Sequence, residues 1–551
     1  MQQGNTIRTL ETDVLVIGGG MAGCFAAVKA REAGAAVTLV DKGTCGKAGQ
    51  TPFAGGMLVF SEAWGDDLAA WMRQIQVYGD HLNRRDWTEV CLRESFARYE
   101  DLCAWGVEFE RDAAGELLRG GVPLGPCKAA HMGTVRPSLA LRRQAERSGV
   151  RIVDRTMVTG LLKDGDGAVC GAVGFPLDDE DAVVELRAGA VVLAAGAGGL
   201  KVPGWPIGDL THDGDAMAYR AGATITGKEF VDPHASRADW DAPSAFGTFG
   251  RPGDSGKPRF GPVVNAEGDE LRPTGTLFLS FEFEAHAGRA PLTMQLEDGG
   301  VPVVGGAASG MGVHKAEGVW PAGLDCSTQV PGLFAAGDAL GTMQSGATYA
   351  AIGQSIANCA VTGARAGAAA AARAREAGAD VAAGGAAPPP PAAELERAVE
   401  ELLGPARRRG GFGPRWATRV LQDALLPYFV MYVKRGDRLQ AALTTVEFLR
   451  DGVVPKLLAR DRHELRLAHE TRNMVLNGEM RLRASLSREE SRGCHYREDF
   501  PRRDDAAWLA WVLVREEDGR MVLAREPVPD EWRPDPAMPC EERYPLRYPG
   551  E

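Results

Sequence analysis

Unbroken apolar runs and helical periodicities alternate along this chain. Asp13-Val-Leu-Val-Ile-Gly18 carries four consecutive apolar residues, three of them β-branched, the pattern of a strand buried on both faces. A glycine-rich turn follows, then an alanine-rich helical stretch over about 22–33, then a second strand, Ala36-Val-Thr-Leu-Val-Asp41. The pattern predicts a β-α-β unit within about thirty residues. Further short strands are predicted at 150–153, 158–162 and 190–195. Between 222 and 323 glycine and proline are frequent and periodicity is poor, which predicts a loop-rich region. The apolar pattern resumes at Gly332-Leu-Phe-Ala-Ala-Gly337 and leads into an alanine-rich helix ending at Gly378. Residues 378–391, with four consecutive prolines, predict a linker. Helical periodicity with alternating charge follows over 394–479. The remainder mixes a charged loop, an aromatic segment at Trp508 and Trp511, and a proline-rich tail.

Composition narrows the class. Glycine supplies 70 of 551 residues, close to twice its usual share of about 7%. Without a Gly-X-Y period, that excess belongs in tight turns and close backbone approaches. The net charge of -12 disfavours a nucleic-acid partner, because the surface repels phosphate. No basic stretch followed by an apolar run opens the chain, and its apolar segments are too short for a bilayer, so a cytoplasmic protein is expected. The ten cysteines include no CxxC pair, which predicts reduced thiols and no iron–sulfur cluster or zinc ribbon held by this chain.

The turn after the first strand reads Gly18-Gly-Gly20-Met-Ala-Gly23, a G-x-G-x-x-G pattern between strand and helix, with an acid at the tip of the second strand. In such a unit Gly18 allows the turn, Gly20 lets a pyrophosphate approach the backbone, and Gly23 lets helix and strand pack closely. The helix N-terminus offers N–H groups to the phosphates, and Asp41 is placed for ribose hydroxyls.

Longer stretches resemble a known family. ETDVLVIGGGMAGCFAAVKAREAGAAVTLVDKG resembles the FAD-binding start of two-domain flavoproteins, and Val330-Pro-Gly-Leu-Phe-Ala-Ala-Gly-Asp338 resembles their late FAD motif. Thr211-His-Asp-Gly-Asp215-Ala-Met-Ala resembles TGDG-x-x-MA, and Glu490-Ser-Arg-Gly-Cys-His-Tyr-Arg-Glu-Asp-Phe500 resembles a C-terminal signature. Both belong to the superfamily of succinate dehydrogenase and fumarate reductase flavoproteins, L-aspartate oxidase and the adenylylsulfate reductase alpha subunit. The resemblance spans nearly the whole chain. It implies an α/β, Rossmann-like, three-layer FAD-binding domain (1–225 and 323–385) with an inserted α+β capping domain (226–322). A helical domain (386–480) and a C-terminal extension (481–551) follow. For the cofactor it implies contacts from Gly18, Gly20, Met21, Ala22, Gly23, Asp41 and Lys42, and from Gly49, Gly55, Gly56 and Val158. Ala195, Gly196, Asp213, Asp215, Gly337, Asp338, Ser355 and Ile356 complete that set.

Three departures shape the expected chemistry. Residues 42–56 lack the histidine that bonds FAD covalently in succinate and fumarate enzymes, so noncovalent FAD is expected. Gly346-Ala-Thr-Tyr-Ala-Ala-Ile-Gly-Gln-Ser355 lacks the arginine that clamps a dicarboxylate, and Tyr349 falls near its place. His314-Lys-Ala-Glu-Gly-Val-Trp320 is closer to the adenylylsulfate reductase alpha subunit, whereas the cap around 232–261 matches it poorly. Among candidate catalytic residues, the resemblance makes His314 and His234 substrate-facing donors, the alternative for His234 being a structural cap-loop histidine. It makes Arg259 a proton-delivering guanidinium, with Arg251 in reserve. Arg492 reads either as an anion clamp or as a tie between helix and FAD domain; His495 and Arg497 share that ambiguity. Arg407–Arg409 reads as a solvated helix end.

The implied activity is an FAD-dependent oxidoreductase moving a hydride between flavin N5 and a small anionic substrate. Electrons would pass to or from a separate, ferredoxin-like iron–sulfur partner. The alternative is an O₂-using oxidase of an amino acid or related carboxylate, akin to L-aspartate oxidase. A non-catalytic, tRNA-binding flavoprotein is disfavoured by the acidic charge. Self-association stays open.

Overall fold

The computed structural model describes residues 6–121, 125–133, 137–202, 207–231, 236–237, 261–272, 279–296, 299–304, 316–549 and 551. At its centre is a seven-stranded sheet. Strand Thr6–Ile17 lies parallel between Val37–Val40 and Ala182–Leu193, and Arg151–Val153 extends one edge. The long strand Ala182–Leu193 is shared. Its first half pairs antiparallel with Val169–Pro176, and its second half pairs parallel with Leu333–Ala335. Val14, Leu15, Val16, Val191, Val192 and Leu193 are fully buried, as the unbroken apolar runs predict for strands covered on both faces.

Helices Met21–Glu32 and Gln354–Glu376 pack together on this sheet. A Cβ at Gly363 or Gly367 would fall 2.4 Å from the Ala22 carbonyl oxygen or 2.2 Å from that of Ala26. These two glycines, one helical turn apart, let the backbones meet, and they account for part of the glycine excess. The stretch read as a linker is docked: the buried Asp13 carboxylate accepts the amides of Val381 (2.6 Å), Ala382 (3.2 Å) and Ala36 (2.7 Å). One side chain thus ties the chain leaving helix Gln354–Glu376 to the first strand.

Helices Ala392–Arg407, Pro414–Leu425, Gly436–Phe448 and Arg462–Ser487 form the helical part, closed by Leu421, Leu443, Val446 and Met474 among others. The inserted segment contains the antiparallel strands Val263–Val264, Leu292–Leu296 and Gly299–Val304, plus helix Leu279–His286, an α+β arrangement. Where the insert leaves and rejoins the main body, Ile225–Thr226 and Gly318–Val319 pair with each other. The C-terminal hairpin Ala510–Glu517/Arg520–Pro527 continues that sheet through Ile225↔Val514 and Thr226↔Leu513. No described helix is long and apolar enough to cross a membrane.

His469, on the longest helix, is buried with its Nε2 2.9 Å from the Leu402 carbonyl oxygen. Burial pushes its pKa from 6.5 down to about 4. The unfolded chain therefore takes a proton that the folded one refuses, and stability present above pH 6.5 is lost as pH falls from 6.5 to about 4. At about 1.4 kcal/mol per pH unit, lowering pH from 7 to 5 is expected to cost this group about 2 kcal/mol. Urea unfolding of the parent and of His469→Gln at both pH values tests this. An equal loss in the two proteins would assign the acid sensitivity to other groups.

Candidate cofactor and active site

The first strand ends at Ile17 and the chain turns sharply. Gly18 adopts φ +110°, and a Cβ there would lie 2.3 Å from the Ala194 carbonyl oxygen. A Cβ on Gly23 would come within 1.8 Å of the Gly18 carbonyl oxygen, so helix and turn are in backbone contact. Gly20 caps the helix without a side-chain hydrogen bond, and the first turn carries no acid. Met21 N–H is taken by Thr51 Oγ1 at 2.9 Å, while the amides of Ala22 and Gly23 find no acceptor among the described residues. Free N–H groups and the helix dipole at one point suit a pyrophosphate.

At the tip of the second strand, Asp41 Oδ2 accepts Gly19 N–H and Oδ1 accepts Gly43 N–H, both at 2.7 Å. Burial raises the Asp41 pKa against the pull of these two amides. Each oxygen keeps a lone pair on the cleft for a ribose hydroxyl, so the carboxylate both shapes the turn and offers acceptors. Lys42 Nζ is held by Asp213 Oδ2 (2.7 Å), Glu470 Oε1 (2.8 Å) and Thr211 Oγ1 (2.8 Å). Burial by itself would lower the pKa of Lys42, but the two carboxylates raise it. Glu470 is fully buried, also pairs with Lys201 (2.9 Å), and its pKa is lowered by these lysines despite its burial. Asn473 donates to Asp213 Oδ1 at 2.8 Å. Sequence reasoning missed Glu470 and Asn473; their only signal is polar residues one turn apart on an otherwise core-facing helix.

One cleft collects Gly18, Gly20, Met21, Ala22, Asp41, Lys42, Gly49, Val158, Ala195, Gly196, Asp213, Asp338, Ser355 and Ile356, joined by the unforeseen Thr51, Asp209 and Met217. Ser355 Oγ lies 3.5 Å from Asp338 Oδ1 at the far end. The remaining expected contacts lie behind this surface. Gly23 and Gly337 serve packing, a Cβ on Gly337 meeting the Ala22 methyl at 2.7 Å. Gly56 is a strand residue opposite His131, and the Gly55 carbonyl accepts Met132 N–H. Asp215, on the helix face away from the cleft, joins a buried ion cluster with Lys228, which also meets Glu317 at 3.1 Å. Its carboxylate oxygen Oδ2 is taken by Lys228.

Of the catalytic candidates, His234, Arg259 and His314, with the reserve Arg251, lie outside the described residues. Tyr349 stands beside the cleft, its hydroxyl 3.4 Å from the amide of Ser355. Arg492 is fully buried and committed. Its Nε and Nη2 meet Glu490 at 2.7 and 2.9 Å, Nη2 also meets Asp505 at 2.7 Å, and Nη1 donates to the Asp80 carbonyl at 3.0 Å. The geometry gives Arg492 the tie between chain segments, not an anion clamp. His495 is buried between Lys434 Nζ (3.0 Å) and the Arg488 carbonyl oxygen (3.2 Å); burial, then Lys434, holds its pKa well below the usual value. Arg497 forks onto Asp499 at 2.8 and 2.7 Å.

Comparison with known proteins agrees with this geometry. An FAD-binding-domain family matches residues 13–261, and the fumarate reductase flavoprotein C-terminal family matches 419–544. A fumarate reductase flavoprotein subunit of Mycobacterium tuberculosis is 28% identical over 94% of this chain and 97% of its own. An L-aspartate oxidase of Caulobacter vibrioides is 27% identical over 92% of this chain and 96% of its own. A solved quinol fumarate reductase chain of E. coli superposes with a TM-score of 0.81 at 19% identity, covering 98% of this chain and 99% of that one. Adenylylsulfate reductase of Archaeoglobus fulgidus superposes at 0.75 and 21% identity, covering 96% and 98%, a likeness of fold. The chain thus joins an FAD-binding domain to a fumarate reductase flavoprotein C-terminal domain, and is an FAD-dependent oxidoreductase similar to the fumarate reductase/succinate dehydrogenase flavoproteins.

Proposed function

We propose that this flavoprotein transfers a hydride between noncovalent FAD and a small anionic substrate, and exchanges electrons with a separate iron–sulfur protein. The observation carrying this reading is the continuous cleft from the helix N-terminus at Gly20 to Ser355, beside which Tyr349 stands where the sequence lacks a clamping arginine. Bound FAD supplies the two-electron chemistry. The chain's own contribution is to orient and to manage charge. The amides of Ala22 and Gly23 take the pyrophosphate, Asp41 takes the ribose, and Tyr349 offers a phenolic donor toward the substrate end. His234 and His314 bind the substrate anion or deliver a proton, since an imidazole titrates near neutrality, and Arg259 is the fixed cation. The partner rests on the relatives called flavoprotein subunits and on a sequence without a CxxC pair. The L-aspartate oxidase relatives favour a second reading, in which O₂ reoxidises the flavin.

Anaerobic reduction and reoxidation of the bound flavin against small carboxylates, amino acids and sulfur oxyanions tests the proposal. Rapid reoxidation by O₂ after reduction by an amino acid selects the oxidase reading, and no response to any anion overturns both. Heat or acid is expected to release yellow flavin into the supernatant, because residues 42–56 hold no histidine. Colour retained in the precipitate would show a covalent bond. Asp41→Ala is expected to lose FAD while the apoprotein keeps its fold, since the carboxylate contacts only turn amides. An unchanged ratio of flavin to protein after gel filtration would remove Asp41 from the cofactor site.

A further inference from the structure

A second cavity, of about 630 Å³, opens between the Thr156–Lys163/Val169–Pro176 hairpin and helices Ala392–Arg407 and Arg462–Ser487. Its floor is apolar: Leu161, Val173, Met217 and Leu402 are all buried there. Its rim is charged, and the charges are unevenly matched. Glu401 is paired by Arg472 and, at 3.4 Å, by Arg397; Glu394 is paired by Arg397 at 2.9 Å. Asp164 is committed to its own turn, Oδ1 accepting Asp166 N–H (3.0 Å) and Ala168 N–H (2.9 Å). Glu516 accepts Gly519 N–H at 2.7 Å in the next turn. Glu394 and Glu401 are thus neutralised by arginines, while Asp164 and Glu516 hold backbone amides.

Two cations of the lining form no salt bridge among the described residues. Arg220 is half-buried, donates through Nη2 to Asn473 Oδ1 at 2.6 Å, and has no carboxylate within 4.0 Å among the described residues. Lys163, also half-buried, donates to the carbonyl oxygen of Ala221, the residue after Arg220, at 2.6 Å and likewise lacks a carboxylate. Burial, then Arg472, lowers the Arg220 pKa to about 9 against the more distant pull of Glu401 and Asp213, which leaves it charged at neutral pH. Partly desolvated cations gathered at one end of a cavity and held only by neutral acceptors favour an anion. The volume lies in the range of small-molecule sites, about 300–1,000 Å³, and exceeds what a bare phosphate fills.

We propose that this cavity is a second binding site, taking a small organic anion whose charged end meets Arg220 and Lys163 and whose apolar body lies on Leu161, Val173 and Leu402. The site is separate from the cofactor cleft yet joined to it. Met217 lines both, and hydrogen bonds run from Arg220 through Asn473 and Asp213 to Lys42.

Isothermal titration of the FAD-loaded protein with phenyl phosphate and with inorganic phosphate tests the assignment. Phenyl phosphate is expected to bind at one equivalent, about tenfold or more tighter than phosphate, because only it covers the apolar floor. Arg220→Gln and Lys163→Gln are each expected to weaken it by about tenfold or more. Because Arg220 also steadies Asn473, the Lys163 variant and the flavin content of both guard against a folding artefact. Loss of binding in either variant with full flavin content supports the site. No binding at millimolar probe, equal binding of the two probes, or parent-like binding in both flavin-replete variants would overturn it.

Discussion

Arg492→Met is expected to cost about 3–5 kcal/mol of stability, the usual penalty for breaking one side of a buried ion pair. The guanidinium neutralises Glu490 through two bonds, reaches Asp505, and holds the Asp80 carbonyl from a segment more than four hundred residues earlier. Its removal leaves Glu490, fully buried, with Arg488 at 2.8 Å as its remaining guanidinium. Lysine is not expected to rescue the variant, since a single ammonium cannot span two carboxylates and a carbonyl as a planar fork does. Denaturant unfolding followed by far-UV circular dichroism reads the loss directly. Parent-like stability together with collapsed turnover would instead place Arg492 on substrate.

Gly23→Ala is expected to produce a protein unable to retain FAD. The new methyl would overlap the Gly18 carbonyl oxygen at 1.8 Å, a backbone atom that cannot swing aside as a side chain would. Relief requires the helix to move off the turn, and overpacking of this kind typically costs about 1–3 kcal/mol. The same movement displaces the Ala22 and Gly23 amides, so cofactor affinity falls with stability. Gly34→Ala, at a glycine with open space around it, is the control for glycine replacement in the same unit, although its φ of +90° carries its own strain. Flavin content after gel filtration and the unfolding midpoint are the readouts. Full flavin retention by the Gly23 variant would mean that helix and turn separate without consequence.

The sequence announces local features well and distant pairings poorly. The first β-α-β unit was legible because its strand, turn, helix and terminal acid occur within thirty residues and each obeys a short-range rule. Lys42 was legible as a neighbour of Asp41, but its carboxylates were not. Asp213 and Glu470 arrive from far along the chain, and a glutamate on a helix ordinarily reads as solvated surface. The docking of 378–391 was hidden for the same reason, since Asp13 lies within the first strand with nothing nearby in sequence to mark it as an anchor. Arg492 shows a different obstacle. A buried structural arginine and a substrate-binding one carry the same residue type beside the same serine and glycine, and only the positions of Glu490 and Asp505 separate them. The pairing of Ile225–Thr226 with the C-terminal hairpin could not be read because two residues are too few to show an alternation.

That small sheet also constrains how the protein is made. Thr226 Oγ1 donates to the Val512 carbonyl oxygen across a sequence separation of 286 residues. At about 5–20 residues per second, a ribosome needs roughly a quarter of a minute to a minute to travel that distance. Throughout this interval the strand Ile225–Thr226 presents an unpaired edge on the nascent chain, and such edges invite pairing with other chains. The base of the inserted segment therefore closes only once Ala510–Glu517 has emerged, so the order of strands in this sheet leaves one of its edges open through most of synthesis.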